Sequence, residues 1–265
     1  MSVSSALGSA LTGLTASARQ AEMVSSNIAN ATTPGYARRE VSLSALALGG
    51  TGQGVAINGI TRQIDAFLMA DRRVAQAASG DRDARAAFLQ RMEQLFGDPL
   101  DAGSLSARVA ALDTALMEAA SRPESEARLA AAVDAARSLA QGLNRASDAV
   151  QEERLRADGQ IATAVDDLNA ALRQVREMNS QIRSFSGSGY DVSALMDQRQ
   201  QVVDRIATLV PLREVPREHG QIALMTTGGA VLLDGKESVF DFTPVNTLVP
   251  EMTQGSGGLS GLVLN

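Results

Sequence analysis

Few side chains in this chain have the chemistry of a catalytic site, and the single histidine is the first to consider. His219 lies within Pro216-Arg-Glu-His-Gly220, a run whose residue types are typical of a turn. A Ser-His-Asp triad would have to use this imidazole, but the sequence favours a surface loop. Cysteine is absent from all 265 residues, which excludes thiolate nucleophiles, disulfides and thiolate metal sites. We therefore predict no catalytic residue and no metal site.

Two other patterns suggest chemistry that their neighbours do not support. Asp166 and Asp167 are adjacent, so on a helix they point to different faces and make a poor acid–base pair. The glycine-rich run 50–54 resembles a phosphate-binding loop, but no Gly-Lys-Ser/Thr ending follows it. No cofactor is expected, and an enzyme is the weakest of the function classes.

The charge balance limits the possible partners. The chain has 24 Lys plus Arg against 30 Asp plus Glu, a net charge of −6. Nucleic acid is not expected as the main partner, because phosphate binding needs a basic surface that releases counterions. The arginine pairs Arg38-Arg39 and Arg72-Arg73 have acids nearby, and we interpret them as solvated surface charges.

The same composition predicts neither a membrane span nor a processed leader. The uncharged stretches 2–18 and 41–61 are interrupted by Gly, Ser, Thr or Asn, so no membrane insertion is expected. Arg19 is the first basic residue and no apolar block follows it, so we expect export, if it occurs, without a cleaved signal peptide.

Composition also favours slender helices over a deep core. Aromatic residues make up only 3% of the chain, whereas alanine is abundant, and alanine suits long helices in close contact. We predict a mainly α fold, an elongated helical rod or coiled-coil-like bundle with a small, incomplete β-rich outer domain. The expected parts are an N-terminal axial helix with a turn and short strands over 1–60, a helical rod domain over 61–211, and the start of the β-rich domain over 212–265.

The first thirty residues have the clearest periodicity. Their apolar residues follow a 3.5-residue spacing, which is typical of a helix that packs along another helix. The other faces carry Ser, Thr, Ala and Gln with few charges, so we expect contacts on several sides and poor order before partners surround the helix. The predicted packing seam consists of Val3, Leu7, Ala10, Leu14, Ala21, Val24 and Ile28.

Turn and strand patterns follow this helix. Pro34 fixes φ and Gly35 permits positive φ, which predicts a turn before Tyr36. The alternating residues beyond it predict two short strands with a glycine-rich loop between them. These are a strand at 41–45, a loop at 49–54 and a strand at 55–57.

Helices dominate from residue 64, and the longest begins at Pro123-Glu124, where proline and acids suit a first turn. It keeps the 3.5-residue spacing to residue 182, and a bend would be least costly between Arg154 and Gly159. The predicted rod seam consists of Leu129, Val133, Leu143, Val150, Ile161, Val165, Leu168, Leu172, Val175 and Ile182. A further helix follows, capped by Asp191 or Ser193 and stopped by Pro211, and then a β-hairpin over 222–233.

Two sets of motifs resemble proteins of the bacterial flagellum. The run Asn27-Ile-Ala-Asn30 and Thr33-Pro-Gly-Tyr36-Ala-Arg38 is similar to the N-terminal segment of flagellar axial proteins, which include rod, hook and hook-associated proteins. The resemblance marks Asn27, Asn30, Thr33, Pro34, Gly35, Tyr36 and Arg38 as its motif. The later run Leu195-Met-Asp-Gln-Arg199-Gln-Gln-Val-Val203 and the hairpin with Thr227-Gly-Gly229 resemble the FlgK family of hook-associated proteins, in order along the whole chain.

This resemblance implies a structural subunit that polymerises at the hook tip, outside the cell, after export without signal cleavage. The implied partners are other copies of the chain, the hook protein, the second hook–filament junction protein and an export chaperone. Family members end with a second heptad helix that pairs with the first, and no such helix follows residue 211 here. We therefore expect a fragment or a natural truncation of the N-terminal half, in which the C-terminal chaperone site is missing.

Two alternatives stay open at this point. A hook or rod protein shares the first segment but would be β-rich over 125–210. A cytoplasmic coiled-coil adaptor would explain the long helix but would leave the first sixty residues without a role. The turn from Asn27 to Arg38 is our choice for the region that packing depends on, although an ordinary helix end and turn would use the same residue types.

Overall fold

The computed structural model describes residues 3–48 and 51–265, and α-helices dominate this part of the chain. The predicted mainly α fold with a small β part is confirmed. Five α-helices lie in the described residues: α1 (Val3–Ala29), α2 (Ala66–Phe96), α3 (Leu105–Ser121), α4 (Glu126–Gly187) and α5 (Ser193–Leu209).

Eight short strands form three antiparallel sheets in the same residues. The first sheet is the hairpin of β1 (Arg38–Leu48) and β2 (Thr51–Gln63). The second has the order β3 (Leu212–Pro216), β4 (Ile222–Thr226), β5 (Val231–Asp234) and β6 (Lys236–Glu237). The third pairs β7 (Phe240–Asp241) with β8 (Val263–Leu264). The hairpin predicted over 222–233 is confirmed as β4 and β5.

The N-terminal hairpin is longer than the sequence predicted. Thr51 to Gly54, expected in a loop, belong to β2, where Gly52 lies opposite Ala47. Gly49 and Gly50, also part of that predicted loop, lie outside the described residues. Gly54 of β2 has a packing role, because a Cβ at this position would come within 2.1 Å of the Thr12 hydroxyl of α1. Glycine here permits a close approach of strand and helix.

The longest helix, α4, is continuous through the region where a bend would be least costly. Asp158 is buried, and its carboxylate accepts a hydrogen bond of 2.7 Å from the backbone N–H of Val245. The guanidinium of Arg154 donates to Gln151 one turn earlier and to the backbone carbonyl of Met252. These contacts hold the weak segment in helical form despite Gly159. The helix begins at Glu126, slightly later than the predicted start at Pro123.

Other local predictions are confirmed with small shifts. His219 is exposed in a 3-10 turn over Glu218–Gly220, where its φ is 53°, so the surface turn is confirmed. The cap of α5, predicted at Asp191 or Ser193, lies at Val192 without a side-chain capping bond, and Asp191 accepts a hydrogen bond of 2.9 Å from the backbone N–H of Ser193. The helix ends at Leu209, before Pro211.

The chain divides into two compact units. The first comprises residues 1–78 and 167–239, and the second comprises residues 79–166 and 240–265. The division into an axial part (1–60), a rod part (61–211) and an outer part (212–265), which the sequence suggests, stays a prediction.

The first unit has a core of aliphatic side chains from α4, α5 and the four-stranded sheet. Helical spacing along α4 and α5 directs their residues inward, whereas the consecutive residues Leu232 and Leu233 of β5 are both buried, so the sheet is covered on both faces at this point. The largest fully buried side chains are Leu172, Val175, Ile182, Val203, Ile206, Leu212, Leu224, Leu232 and Leu233. Asn179 lies in the same core, where its amide donates to the carbonyl of Ile222 at 2.8 Å.

In the second unit, the inward face of α4 is made mostly of small residues between positions 132 and 149. A Cβ on Gly142 would lie 3.0 Å from Cδ of Arg108 in α3, so the two helices approach closely at this point. Arg108 also donates to the backbone carbonyl of Ser138, at 3.2 Å. Leu139 is the large residue among them, and it is half-buried. The small residues that are buried or half-buried along this face are Ala132, Ala135, Ser138, Gly142, Ala146 and Ala149.

The predicted rod seam is therefore buried along one part of α4 and exposed along another. In its second half the seam is buried, and the buried members are Val165, Leu168, Leu172, Val175 and Ile182. In its first half the seam lies outward, and Leu129, Val133, Leu143 and Ile161 are 45–50% exposed. Val150 is half-buried.

Replacing Leu172 by Asp should strongly destabilise the first unit. Leu172 has no exposed surface, so the carboxylate would be buried without a partner. We expect a loss of about 3–5 kcal/mol in the free energy of unfolding, measured by urea denaturation. Leu129→Asp is the matched control, because Leu129 is 46% exposed; it should cost less than about 1 kcal/mol. Equal losses in the two variants would contradict the placement of the seam.

Candidate functional site

The two motifs that carry the flagellar resemblance meet at one buried carboxylate, that of Asp197 in α5. Asp197 is 6% exposed. It accepts hydrogen bonds from the backbone N–H of Ala37 at 3.3 Å, from the Arg39 guanidinium at 3.0 Å and from the Arg62 guanidinium at 2.9 Å. Arg62 also donates to the amide oxygen of Gln200 at 2.9 Å. We call these five residues the Asp197 cluster.

The register of the N-terminal hairpin explains why a carboxylate is needed there. Arg39 of β1 lies directly opposite Arg62 of β2. Like charges at opposed positions of an antiparallel pair repel each other, and both side chains are largely buried, at 14% and 11% exposure. Asp197 accepts from both guanidiniums, so it offsets this repulsion and ties the base of the hairpin to α5.

The end of α1 is joined to the same place through Asn27. Its amide donates to the backbone carbonyl of Arg39 at 2.8 Å, and its oxygen accepts from the backbone N–H of Arg39 at 2.9 Å. This reciprocal pair reproduces the hydrogen bonding of a neighbouring strand. The Tyr36 hydroxyl donates to the same Asn27 oxygen at 2.9 Å. The Arg39 guanidinium lies 4.9 Å from the centre of the Tyr36 ring, within cation–π range.

The turn between Asn30 and Tyr36 has the predicted geometry. Gly35 has a φ of 79°, which confirms the expected positive value. The backbone N–H of Tyr36 donates to the carbonyl of Thr33 at 3.2 Å and closes the turn around Pro34. Gln201 of α5 donates to the Pro34 carbonyl at 2.7 Å, and a Cβ on Gly35 would come within 2.6 Å of the Gln201 side chain. Glycine is therefore required for the backbone conformation, and it leaves room for the Gln201 side chain to reach the Pro34 carbonyl.

The remaining motif residues act locally. The Asn30 amide donates to the carbonyl of Ser26 at 2.9 Å, and Thr33 donates to the Asn30 oxygen at 3.3 Å. Arg38 is exposed and forms an ion pair with Glu40 on the same strand. Asn27, Gly35 and Tyr36 thus lie at the Asp197 cluster or against α5, whereas Arg38 lies outside it.

Sequence reasoning missed the charged members of this site. The interpretation of Arg38-Arg39 and Arg72-Arg73 as solvated charges is wrong for the second member of each pair. Arg73 is 3% exposed, and it pairs with Asp204 and Glu214, each at 2.8 Å. The one available signal was that Asp197 lies inside the motif 195–203. Nothing in the sequence links this residue to its partner Ala37, which lies 160 positions earlier.

The predicted seam of α1 faces away from this site. Val3, Leu7, Leu14, Val24 and Ile28 are between 55% and 88% exposed, and Ala10 and Ala21 are exposed as well. The opposite face, which packs against the hairpin, has the same spacing but smaller or polar residues. Its buried or half-buried members are Ser5, Ser9, Thr12, Ala16, Arg19, Met23 and Ser26.

Thr12 fixes this second face to the hairpin. Its hydroxyl accepts a hydrogen bond of 3.2 Å from the backbone N–H of Val55, next to the close approach at Gly54. Together with Asn27 at the other end, this bond sets the rotation of α1 about its own axis. The large apolar residues are therefore held outward by polar contacts on the opposite side.

Two known protein families match separate parts of the chain. Residues 89–243, more than half of the chain, match the family described as flagellar hook-associated protein FlgK helical domain. Residues 7–36, which include most of α1 and the turn, match the family described as flagella basal body rod protein.

Curated relatives cover nearly the whole chain. Flagellar hook-associated protein 1 of Salmonella typhimurium is 26% identical over 286 residues, covering 98% of this chain and 51% of the relative. The Escherichia coli protein of the same name is 24% identical with 98% and 52% coverage, and the Bacillus subtilis one is 26% identical with 82% and 46%. The chain thus spans about half the length of the curated relatives it matches.

A solved structure shares the fold. The flagellar hook junction protein FlgK from Burkholderia pseudomallei aligns with a TM-score of 0.57 at 20% identity, over 64% of this chain and 30% of that one. Within residues 3–48 and 51–265, no helix is long and apolar enough to cross a membrane.

Removing the carboxylate of the Asp197 cluster should loosen the N-terminal segment. Asp197→Ala leaves two largely buried guanidiniums opposed and unpaired, which costs about 3–5 kcal/mol in unfolding free energy. The chain has no tryptophan and two tyrosines, so in a Tyr190→Phe background the fluorescence of Tyr36 is a local probe of this site. Asp134→Asn is the control, because Asp134 is 73% exposed in its pair with Arg137; it should cost less than about 1 kcal/mol. A Tyr36 signal unchanged by Asp197→Ala would argue against the cluster.

Proposed function

Because the chain belongs to the FlgK family of flagellar hook-associated proteins, we propose that it is a structural subunit that joins hook to filament by polymerising at the hook tip. The observation that carries this proposal is the exposed apolar seam of α1. The proposed partners are other copies of this chain, the hook protein and the second hook–filament junction protein. The proposed location is the flagellum outside the cell, reached by export without signal cleavage and with the help of a chaperone.

The exposed seam is large for a helix in water. Val3 is 88% exposed, Leu7 70% and Ile28 72%, on a helix of 27 residues. Covering such side chains contributes about 1.5–3 kcal/mol each, and contiguous apolar surface on a soluble protein marks an interaction site. The spacing of the seam suits another helix, whose side chains would fill the gaps between these residues.

Rotation of α1 about its own axis cannot bury the exposed seam. The bonds from Val55 to Thr12 and between Asn27 and Arg39 hold the opposite face on the hairpin. A partner helix must therefore pack against the outward face of α1 in the orientation that α1 already has. This is the behaviour required of a subunit whose N-terminal helix packs in the inner layer of a tubular assembly.

The polar side chains of the candidate site support a structural rather than a catalytic role. Asp197 accepts from both Arg39 and Arg62, although Nε of Arg39 is buried without a hydrogen-bond partner among the described residues, and Asn27 is committed to the backbone. These groups are used to fix the position of α1, which leaves them unsuited to bind a substrate.

The alternatives from the sequence agree less well with these features. A hook or rod protein would need β structure over 125–210, where α4 and α5 are helical. A coiled-coil adaptor would have no use for the contacts between the N-terminal segment and α5.

Placing charge on the seam should block assembly without unfolding the protein. In cells that lack the native protein, Leu7→Asp with Leu14→Asp should reduce incorporation at the hook tip by at least about tenfold, since each buried charge costs more than about 1.4 kcal/mol. Incorporation is measured by immunolabelling of isolated hooks, and motility should fall with it. The far-UV circular dichroism and thermal melt should stay unchanged, because both leucines are exposed.

Thr15→Asp is the matched control. Thr15 is exposed and follows Leu14, so it lies about 100° around the helix from the seam. It should assemble better than the seam variant. Normal incorporation of the double seam variant would overturn the assignment of α1 to an interface.

A further inference from the structure

A cavity of about 470 Å³ in the first unit has an unusual lining of arginines. It lies among the start of α2, the α5 helix and strands β3 and β4. Arg62, Arg73, Arg199 and Arg213 line it, together with two carboxylates, Asp71 and Glu214. This is a surplus of positive charge on a chain whose net charge is −6.

Two of the four guanidiniums already form ion pairs. Arg62 pairs with Asp197 at 2.7 Å, and Arg73 pairs with Glu214 at 2.8 Å. In the part of the chain that the structure describes, no ion pair is formed by Arg199, Arg213 or Asp71. Two guanidiniums thus remain for a single exposed carboxylate.

Arg199 has the strongest need of an anion. It is 5% exposed, and its guanidinium donates to the Asn179 oxygen and the Gly220 carbonyl, each at 2.7 Å. Both acceptors are neutral. Burial lowers the pKa of Arg199 to about 10, despite the opposing effect of the Glu214 charge. A carboxylate in the cavity would supply the counter-charge that buried arginines usually have.

Large apolar side chains surround the mouth of the cavity. Phe67 is 87% exposed and Ile64 is 49% exposed, and both also line the cavity. Leu68, the next residue, is 67% exposed. The complementary surface is therefore a carboxylate flanked by apolar residues on an exposed helix face.

Helix α3 offers such a face in its second half. Asp113 is exposed, and Val109, Leu116 and Met117 are 52%, 52% and 59% exposed at positions −4, +3 and +4 from it. These spacings place all four side chains on one face of the helix. Asp113 forms no ion pair within the described residues.

We propose that the arginine-lined cavity of one copy receives Asp113 and the surrounding apolar face of α3 from a second copy. This inference rests on the proposed function only in that copies of the chain meet in the assembly. The cavity and the α3 face are different surfaces, one in each unit of the chain, so each copy offers both a cavity and an α3 face. Where such contacts run head to tail from subunit to subunit, they produce rings or helical arrays.

Cysteine cross-linking tests the contact directly, because the chain contains no cysteine. One purified chain carries Phe67→Cys, and a second, with a size tag, carries Met117→Cys. Mixed under mild oxidation, they should form the mixed dimer at least about tenfold faster than a mixture of Phe67→Cys with Ala111→Cys. Ala111 is the control because it is exposed on α3 but lies about 160° around the helix from Asp113. Equal rates in the two mixtures would overturn the proposal.

Charge reversal supplies the second measurement. Arg213→Glu and Asp113→Arg should each weaken self-association about tenfold in sedimentation experiments, and the double variant should recover most of the loss. Glu93, between exposed Leu89 and Phe96 on α2, is the competing acid. Rescue of Arg213→Glu by Glu93→Arg instead of Asp113→Arg would overturn the assignment to α3.

These outcomes are separate from the test of the proposed function. They are measured on purified chain at residues outside α1, whereas the seam variants are scored at the hook tip. If the cross-link does not form but the seam variants still fail to assemble, this inference alone is overturned. If the cross-link forms but the seam variants assemble normally, the assignment of α1 to an interface alone is overturned.

Discussion

Two arginines that face each other across a hairpin share one carboxylate, and the position of the whole N-terminal segment depends on that arrangement. Arg39 and Arg62 would repel each other at the base of β1 and β2 if Asp197 did not lie between them. Because Asn27 is bonded to the backbone of Arg39, the end of α1 is fixed by the same carboxylate. A residue in the second half of the chain thus determines where the first helix lies. The N-terminal motif 27–38 and the motif 195–203 therefore form one structural contact.

A second constraint concerns which side of a helix is buried. Both α1 and the first half of α4 have one face of mostly small or polar residues and another of large apolar residues. In both helices the face of mostly small residues turns inward and the large apolar face is exposed. Small residues let the backbone approach closely, as at Gly54 and Gly142. The large residues are then available for other chains, whereas Leu172 and Val175 of the second half of α4 fill the internal core.

The sequence was informative where the physics is local. The turn at Pro34 and Gly35, the helix periods and the hairpin of β4 and β5 depend on neighbours in the chain, and each was predictable. The Asp197 cluster was not, because α5 lies more than 130 residues from the hairpin that it binds and each charge alone is an ordinary surface charge. Periodicity also identified the helices without identifying the buried face, since two faces of α1 share one spacing. Only the contact with the hairpin decides between them.

The attachment of α1 also has a mechanical consequence. A tensile load on this helix passes to the hairpin through Thr12 and Asn27, and from the hairpin to α5 through Arg39, Arg62 and the backbone of Ala37. The last three bonds end on one carboxylate and share the load in parallel, together with the bonds from Arg62 to Gln200 and from Gln201 to Pro34. The base of the hairpin can therefore transmit torque between α1 and α5, and most of it passes through a single acidic side chain.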